Sequence, residues 1–429
     1  MRRPVIGFAG MSHLGLNSAV AAADRGFDTI GFDPIPARIA AIARGEMPVV
    51  EPDLDAVAAA HRDQLSFTAD VAALAACDVV YVAADVPTDD EGRSDPSSID
   101  ALFTLVDGAA RADAVVVILS QVPPGFTRAR LRAGRALYYQ VETLIFGRAM
   151  ERARFPERFI VGCADPTAPL PAAYRQFLDA FACPILPMGF ESAELAKISI
   201  NMYLVASVSV ANTLAELCER IGADWSEIVP ALKLDRRIGA HAYLTPGLGI
   251  AGGNLERDLA TVCALAERTG TDAGVVRAFI ANSAHRKDWA WRTLRERVLD
   301  GRPDARIGVL GLAYKIDTHS TKGSPALALL AHLAGCDVRV FDPVVPGAVA
   351  GPAVLAATSA LEAADGADAL CVMTPWRDFA GLPLAELARR MRGRVLIDPF
   401  AVFDRTAAVA AGFDWQTLGL GEMPLTAAC

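Results

Sequence analysis

The sequence predicts an α/β fold in which two doubly wound domains are joined by a helical dimerisation region. Both ends of the chain alternate short apolar strands with helices, a pattern that is typical of parallel sheets. Residues 191–300, by contrast, follow helical periodicity and contain no comparable strands. Because 429 residues exceed what one ordinary hydrophobic core supports, we expect a division into several domains.

The two ends of the chain also echo each other. Residues 26–34 read GFDTIGFDP and residues 335–343 read GCDVRVFDP, and each segment follows an alanine-rich helix. A second echo links residues 77–87 with residues 367–376, and an apolar strand that runs into a glycine turn precedes both halves. Three echoes in the same order indicate two Rossmann-like, doubly wound units.

The same patterns give the predicted domain boundaries. Residues 1–189 form the N-terminal domain, residues 190–300 the helical dimerisation domain, and residues 301–429 the C-terminal α/β domain. The breaker-rich segment DGRPD marks the last boundary. The helices predicted between the two end domains are 191–221, 225–234, 255–270 and 273–298.

The composition argues against several function classes. A net charge of −9 opposes an electrostatic grip on nucleic acid or on an anionic membrane. The eight cysteines include no C-x-x-C pair, as expected of reduced thiols in the cytoplasm, and the six histidines show no metal-ligand spacing. We therefore expect a cytoplasmic protein with no metal site and with neither nucleic acid nor membrane as a partner.

One long apolar segment bears on assembly. Residues 198–215 contain no charged side chain, although serine, asparagine and threonine recur among them. The segment is too polar for a typical membrane span and too apolar for a solvated helix. It predicts a helix that is buried at the interface of a homodimer or a larger homo-oligomer.

A glycine turn near the N-terminus predicts a cofactor site. Residues 10–15 read GMSHLG, follow an apolar strand and open a helix, and Asp33 ends the next strand. Glycines let the backbone approach a pyrophosphate at a helix N-terminus, and an acid at the end of the second strand favours NAD over NADP. The predicted cofactor contacts here are Gly10, Ser12, His13, Leu14, Gly15, Asp33 and Arg38. For the His13 ring a packing role is favoured, and residues 311–315 (GLAYK) lack this fingerprint, so the second half is not expected to bind the dinucleotide itself.

Motifs along nearly the whole chain resemble those of the UDP-glucose/GDP-mannose dehydrogenase family. Residues 194–201 match its E-x-x-K-x-x-x-N helix, residues 237–239 match its RIG segment, and GLAYK differs from its GLAFK at one position. The resemblance implies an NAD-binding N-terminal domain, a central dimerisation domain and a C-terminal domain that helps to hold a nucleotide sugar.

The most informative departure from the family is at residue 254. Residues 246–258 read PGLGIAGGNLERD and resemble the family's catalytic loop, but Asn254 stands where that loop has a cysteine. In the family this thiolate captures a sugar aldehyde, so that a second oxidation can yield an acid. The nitrogen of a carboxamide is not a usable nucleophile, so the chain is predicted to lack the covalent catalyst.

Lys197 and Asn201 are the predicted stabilisers of an alkoxide. At positions i and i+4 they share one helix face, where an ammonium and a carboxamide NH₂ could stabilise an alkoxide as it forms. From the residues alone, a surface lysine beside an interface asparagine would be the preferred interpretation, and the resemblance reverses that preference. The resemblance also implies that Asp258 orders the catalytic water and that Glu142 is the retained acid of a pair whose second member is replaced by Phe146.

The resemblance implies further contacts with substrate and cofactor. The implied substrate contacts are Glu142, Lys197, Asn201, Arg237, Gly249, Gly252 and Lys315. Gln121, Arg257 and Lys322 are the additional cofactor contacts, while the catalytic set comprises Lys197, Asn201, Asp258, Glu142 and Asn254. Residues 318–325 and 398–401 lack acids and an arginine that are usual in the family, which weakens the carry-over of its nucleotide and sugar contacts.

The main functional prediction is NAD-dependent oxidation of a nucleotide sugar at its primary alcohol. Without the thiol, oxidation could stop at the aldehyde, or it could reach the acid through the hydrated aldehyde. Two alternatives belong to other classes: an epimerase or isomerase that retains NAD, and a non-catalytic binding protein. Turnover of free NAD separates the three.

Overall fold

The computed structural model describes residues 2–87, residue 89 and residues 94–421. These residues form two compact units, the first of which ends at Ile200 and the second of which begins at Asn201. The helical middle and the C-terminal sheet lie together in the second unit. The three-domain division at 189/190 and 300/301 stays a prediction.

The first unit is built on one sheet. Its described strands are β1 (Ile6–Ala9), β2 (Thr29–Phe32), β3 (Leu65–Thr68), β4 (Val79–Val82), β5 (Val115–Ile118), β6 (Leu137–Gln140), β7 (Phe159–Cys163) and β8 (Ile185–Gly189). They lie in the order β3-β2-β1-β4-β5-β6-β7-β8, and β1 to β6 are parallel. The pair β7 and β8 runs antiparallel to β6, so the sheet is mixed rather than wholly parallel as predicted.

Helices cover both faces of this sheet. They are α1 (His13–Asp24), α2 (Pro36–Ala43), α3 (Leu54–Ala60), α4 (Ser97–Ala109), α5 (Ala149–Arg154), α6 (Ala172–Asp179) and the first part of α7 (Phe190–Ile221). Val79 and Tyr81 of β4 pack in one apolar cluster, whereas Val80 and Val82 pack in another. Because successive strand residues point to opposite faces, the continuous apolar run of β4 is explained by burial on both sides.

The second unit carries a parallel sheet of its own. Its described strands are β9 (Arg306–Leu310), β10 (Asp337–Phe341), β11 (Leu355–Ala356), β12 (Ala369–Val372), β13 (Val395–Ile397) and β14 (Asp414–Gln416). Its helices are the remainder of α7, α8 (Trp225–Leu234), α9 (Asn254–Thr269), α10 (Gly274–Lys287), α11 (Trp289–Leu294), α12 (Pro325–His332), α13 (Ala360–Ala363), α14 (Arg377–Ala380), α15 (Leu384–Arg390) and α16 (Arg405–Ala410). The strand order β11-β10-β9-β12-β13-β14 repeats the first six positions of the other sheet, which confirms the two doubly wound units predicted from the sequence echoes.

The repeat extends to the glycine turns that follow the first strand of each unit. Gly10 and Gly311 have φ angles of +97° and +91°. A Cβ atom on Gly10 would lie 2.7 Å from the Cβ of Ala84, and one on Gly311 would lie 2.4 Å from the Cβ of Thr374. Both positions therefore require glycine for backbone conformation and for space.

One predicted helix is wrong. The sequence favours a single helix over 273–298, but α10 ends at Lys287, α11 begins at Trp289, and a π-helical turn follows at Arg295–Leu299. Asp288, between the two helices, has φ −84° and ψ 5°, which takes it out of the helical conformation. The break lets Trp289 and Leu294 join the core of the second sheet while α10 packs on α9, two contacts that one straight helix could not make.

Helix α7 presents an unusual surface. It is long and apolar enough to cross a membrane by length and composition, and 39% of its most apolar window is buried. Exposed apolar side chains recur along it at intervals of three, four and seven residues: Tyr203, Val210, Leu214, Leu217 and Ile221. This stripe has the periodicity of a helix face that packs against another helix, and the subunit interface stays a prediction.

We expect the stripe on α7 to join two copies of the chain. Light scattering at micromolar concentration should report a dimer or a larger assembly for the unmodified protein. Val210→Glu together with Leu217→Glu should yield monomers, because two charges cannot be buried unpaired in an apolar interface. Val50→Glu is the matched control, since Val50 is 88% exposed in a loop of the first unit. A monomeric unmodified protein would contradict the prediction.

Candidate active site

The glycine turn of the first unit fits a dinucleotide. Ser12 is the residue that precedes α1, and a Cβ on Gly15 would lie only 1.8 Å from the carbonyl oxygen of Gly10. This close approach leaves no room for a side chain between β1 and α1, so backbone N–H groups can face a pyrophosphate at the helix N-terminus. The geometry agrees with the cofactor role predicted for this turn.

Asp33 is fixed at the carboxyl end of β2. Its side chain is 1% exposed, and it accepts hydrogen bonds from Met11 N at 2.7 Å and from Ile35 N at 3.0 Å. Arg38 Nη1 lies 2.7 Å from the carboxylate, so the two predicted cofactor contacts form a partly buried ion pair. The carboxylate is therefore held in one orientation beside the turn, where it could accept ribose hydroxyls.

The equivalent acid of the second unit is used differently. Asp342 ends β10 as Asp33 ends β2, but it accepts hydrogen bonds from five groups of its own unit. These are Leu312 N, Ala313 N, Val344 N, Val345 N and Trp376 Nε1. The acceptor capacity of this carboxylate is largely filled, which supports the expectation that the second half does not bind the dinucleotide itself.

His13 connects the turn to a distant loop. Its Nε2 atom lies 2.7 Å from Oε1 of Glu51, and the Phe146 ring stacks on the imidazole with 4.0 Å between centroids. Glu51 also accepts hydrogen bonds from Gly147 N at 2.8 Å and from Ala149 N at 3.1 Å. The buried His13 ring is thus held by a hydrogen bond and a ring contact, and Glu51 is a positioning residue outside the predicted site residues.

Glu142 and Lys197 form a pair within the first unit. Lys197 Nζ lies 2.7 Å from Glu142 Oε1, and both side chains are mostly buried. The other carboxylate oxygen, Oε2, accepts a hydrogen bond from Leu144 N at 3.0 Å. The structure thereby brings together the predicted ammonium and the retained acid of the family motif.

Glu194 is a positioning residue that sequence reasoning did not single out. It lies one turn before Lys197 on α7, is fully buried, and accepts hydrogen bonds from Gly125 N at 2.6 Å and Thr127 N at 2.9 Å. Burial raises the pKa of its carboxyl group. Glu194 therefore ties the start of α7 to the loop that carries Gln121. The signal that could have revealed it is the first position of the E-x-x-K-x-x-x-N motif.

Asn201 and Asp258 form a second pair, within the second unit. Asn201 Nδ2 donates a hydrogen bond of 2.5 Å to Asp258 Oδ2, and Asp258 is 1% exposed. Arg257 Nε lies 3.5 Å from Asp258 Oδ1. The amide of Asn201 therefore orients a buried carboxylate of the kind that could activate water.

Asn254 lies at the start of a helix rather than in a free loop. It is the exposed first residue of α9, directly after Gly253, whose φ is +90°. A Cβ on Gly252 would lie 2.6 Å from the Tyr314 ring, and one on Gly253 would lie 2.9 Å from Lys322 Cε. The glycines, Tyr314 and Lys322 thus limit the shape of this loop, and Asn254 is exposed.

Five of the seven described cysteines are poor candidates for a catalytic thiol. Burial is the leading cause that raises the pKa of five of them, namely Cys77 and Cys371 to about 12, Cys163, Cys183 and Cys218. A thiol with a raised pKa stays protonated and is a poor nucleophile at neutral pH. Cys263 follows Asn254 by nine residues on α9, which corresponds to roughly 14 Å along the helix axis. Cys429 lies outside the described residues.

The remaining predicted substrate contacts belong to the second unit. Arg237 is highly exposed, and its guanidinium pairs with Asp235 at 2.6 Å, which raises the pKa of Arg237. A Cβ on Gly249 would lie 2.4 Å from the carbonyl oxygen of Ser283, and Lys315 Nζ lies 5.6 Å from the Tyr314 ring centroid. Within this single chain, Arg237 is thus engaged with its own loop rather than with the other predicted contacts.

Three family models match successive parts of the chain. Those described as the NAD binding domain, the central domain and the UDP binding domain of the UDP-glucose/GDP-mannose dehydrogenase family match residues 4–177, 191–283 and 308–405. The NAD binding match contains the glycine turn and Asp33, which confirms NAD as the cofactor predicted from these residues.

Curated relatives and solved structures match over nearly the full length. A UDP-glucose 6-dehydrogenase from Pseudomonas aeruginosa is 31% identical and one named TuaD from Bacillus subtilis is 28% identical; the matches cover 96% of this chain and 96% and 93% of the relatives. A UDP-glucose dehydrogenase structure from Pyrobaculum islandicum has a TM-score of 0.83 at 27% identity and covers 98% of both chains. A UDP-D-ManNAc dehydrogenase structure from Pyrococcus horikoshii, at 24% identity, shares the fold with a TM-score of 0.84 over 97% of this chain and 99% of that one.

The Asp33–Arg38 pair generates a prediction about cofactor choice. Calorimetry should show tighter binding of NAD than of NADP, because the Asp33 carboxylate repels a 2′-phosphate. Asp33→Ala should reduce the difference between the two affinities. It should weaken NAD binding, because it removes a ribose acceptor, and it should tighten NADP binding, because it frees the Arg38 guanidinium to bind the 2′-phosphate. The double variant Asp33→Ala with Arg38→Ala is the control, and it should not show the tighter NADP binding of the single variant. Tighter NADP binding by the unmodified protein would overturn the prediction.

Proposed function

This chain belongs to the UDP-glucose/GDP-mannose dehydrogenase family, and we propose that it oxidises the primary alcohol of a UDP-glucose-like nucleotide sugar without forming a covalent sugar adduct. It is an NAD-dependent oxidoreductase of nucleotide sugars. The observation that carries the further proposal is Asn254 at the start of α9, where the family motif has its thiol. The match to the UDP binding domain supports uridine diphosphate as the nucleotide part of the substrate.

When bound, NAD would supply a two-electron acceptor for the hydride of the alcohol carbon. The chain's own part is to hold that cofactor at the turn around Gly10 and Gly15, with Asp33 as the ribose acceptor. The alcohol must also lose its hydroxyl proton, and the negative charge that develops on its oxygen requires stabilisation. Lys197 carries a positive charge for this purpose, and Asn201, one turn further along the unbroken helix α7, supplies a carboxamide.

The second step differs from a thiol-dependent route. A sugar aldehyde can add water to give a geminal diol, and loss of a hydride and a proton from that diol gives the carboxylic acid. Asp258 is the proposed base for water, because it is buried and its orientation is fixed by Asn201 at 2.5 Å. Glu142 is the second candidate base, and its carboxylate already pairs with Lys197 at 2.7 Å. Oxidation to the aldehyde yields one NADH per sugar, and oxidation to the acid yields two.

One alternative is compatible with the same residue. An epimerase or isomerase that retains NAD and returns the hydride also needs no thiol, so Asn254 alone does not separate it from the dehydrogenase. The alternative differs in its products, because it releases no free NADH.

Assembly and compartment complete the proposal. We propose that the protein works as a homodimer or larger assembly in the cytoplasm, and that Arg237 reaches the nucleotide sugar of a neighbouring subunit. The exposure of Arg237 supports its proposed contact with a neighbouring subunit. The seven described cysteines, all free, support a reducing compartment. The predicted substrate contacts Gly249, Gly252 and Lys315 stay proposals.

We expect Lys197→Ala to lower turnover by a factor on the order of 10²–10³, the usual cost of losing a preorganised charge at a developing oxyanion. NAD affinity, measured by calorimetry, should stay nearly unchanged. Lys233→Ala, which removes an exposed lysine on α8, is the matched control and should have normal turnover. Near-normal turnover of the Lys197 variant would show that Lys197 has only a structural role.

The absence of a covalent route can be tested by mass spectrometry. Intact-protein spectra recorded during turnover should show no sugar adduct, and iodoacetamide should not block turnover selectively. Asn254→Cys should become sensitive to iodoacetamide, because a thiol at a helix N-terminus has a lowered pKa. NADH counted per sugar then separates aldehyde from acid as product. A stable sugar adduct on the unmodified protein would mean that another nucleophile acts.

A further inference from the structure

The carboxyl end of β4 places an acid beside the cofactor turn. β4 is the neighbour of β1 on the side opposite β2, so the crevice between β1 and β4 is the point where the strand order reverses. Dinucleotides bind across such a crevice, outside the carboxyl ends of the strands. Ala84 lies against Gly10 at this edge, and Asp85 is the next residue of the chain.

Asp85 makes two hydrogen bonds to the turn. Its backbone N donates to Ser12 Oγ at 2.9 Å, and its Oδ2 accepts from Leu14 N at 3.2 Å. Ser12 precedes α1 but makes no capping bond with its own side chain, and the first turn of α1 contains no acidic residue. Asp85 therefore supplies, from another strand, the negative charge that the N-terminus of α1 attracts.

This contact uses a group that the cofactor also needs. The N–H groups and the positive end of the helix dipole at the start of α1 are what a pyrophosphate binds in a turn of this kind. Beside the turn, the Arg38 guanidinium already pairs with the Asp33 carboxylate at 2.7 Å. A pyrophosphate that enters must displace the exposed Asp85 carboxylate and then lie close to its negative charge.

We propose that Asp85 is a built-in competitor of the cofactor's pyrophosphate and that it sets a weak affinity for NAD. Weak, readily reversible binding of the cofactor favours exchange of NADH for NAD between turnovers. The proposal rests on NAD binding at this turn and not on the sugar chemistry, so binding measurements without any sugar test it separately from the proposed function.

The test is calorimetry with Asp85→Asn. Two unit charges about 4 Å apart interact by about 1 kcal/mol in water, so removal of the charge should tighten NAD binding about fivefold. ADP-ribose, which also carries a pyrophosphate, should gain equally, while adenosine, which has none, should gain nothing. The gain should shrink at about 1 M salt, because exposed charges are then screened within a few ångströms.

Asp113→Asn is the matched control. Asp113 precedes β5 at the amino end of that strand, so this variant removes one exposed acid from the opposite edge of the same sheet. Its affinity for NAD should equal that of the unmodified protein.

Asp85→Ala removes the competing oxygen as well as the charge, and its gain should equal or exceed that of Asp85→Asn. The proposal is overturned if both variants bind NAD as the unmodified protein does or more weakly, the latter result assigning Asp85 to ribose binding. An equal gain for adenosine would also overturn it, because the effect would then be unrelated to the pyrophosphate.

Discussion

The close approach of backbone at the two glycine turns is the constraint on which the rest of each unit depends. At Gly10 and Gly311 the chain reverses with a positive φ, and the neighbouring strand ends so near that a Cβ would overlap Ala84 or Thr374. Because no side chain separates the strand ends, the residues that follow them meet at one edge of the sheet. Asp33 and Asp342 directly follow β2 and β10 at these edges, and Asp85 lies three residues after β4.

The two units share one fold, but the equivalent acids Asp33 and Asp342 make different contacts. Asp33 keeps its carboxylate at the mouth of the turn, with two backbone donors and a guanidinium around it. Asp342 accepts hydrogen bonds from four backbone N–H groups and an indole N–H, and so stabilises its own loop. The two units therefore share a fold, while the acids that follow their second strands have different hydrogen-bond partners.

Helix α7 organises the chemistry by its spacing. Glu194, Lys197 and Asn201 follow one another by about one turn each; the first anchors a loop, the second pairs with Glu142, and the third orients Asp258. Asn254 is exposed, and the close contacts of the neighbouring glycines limit the shape of its loop. A substitution at this position therefore needs no change of fold.

The sequence by itself determined the features that depend on neighbours along the chain. Strand and helix periodicity predicted the two doubly wound units and the start and end of α7 and α8, and the i, i+4 spacing placed Lys197 and Asn201 on one helix face. The glycine turn with Asp33 predicted the NAD site. The break of the last middle helix at Asp288 was missed, because only the packing of Trp289 into a distant core makes a bend favourable.

Only the tertiary structure decided which side chains meet across long separations. His13 and Glu51 are 38 residues apart, and Leu14 and Asp85 are 71 residues apart, yet each pair is within hydrogen-bonding distance. No periodicity links such residues, since their proximity follows from the strand order of the sheet and from the glycine that lets two backbones touch. The functional residues of a parallel sheet meet at its carboxyl edge. Which of them form one site can therefore be predicted only when the order of the strands is known.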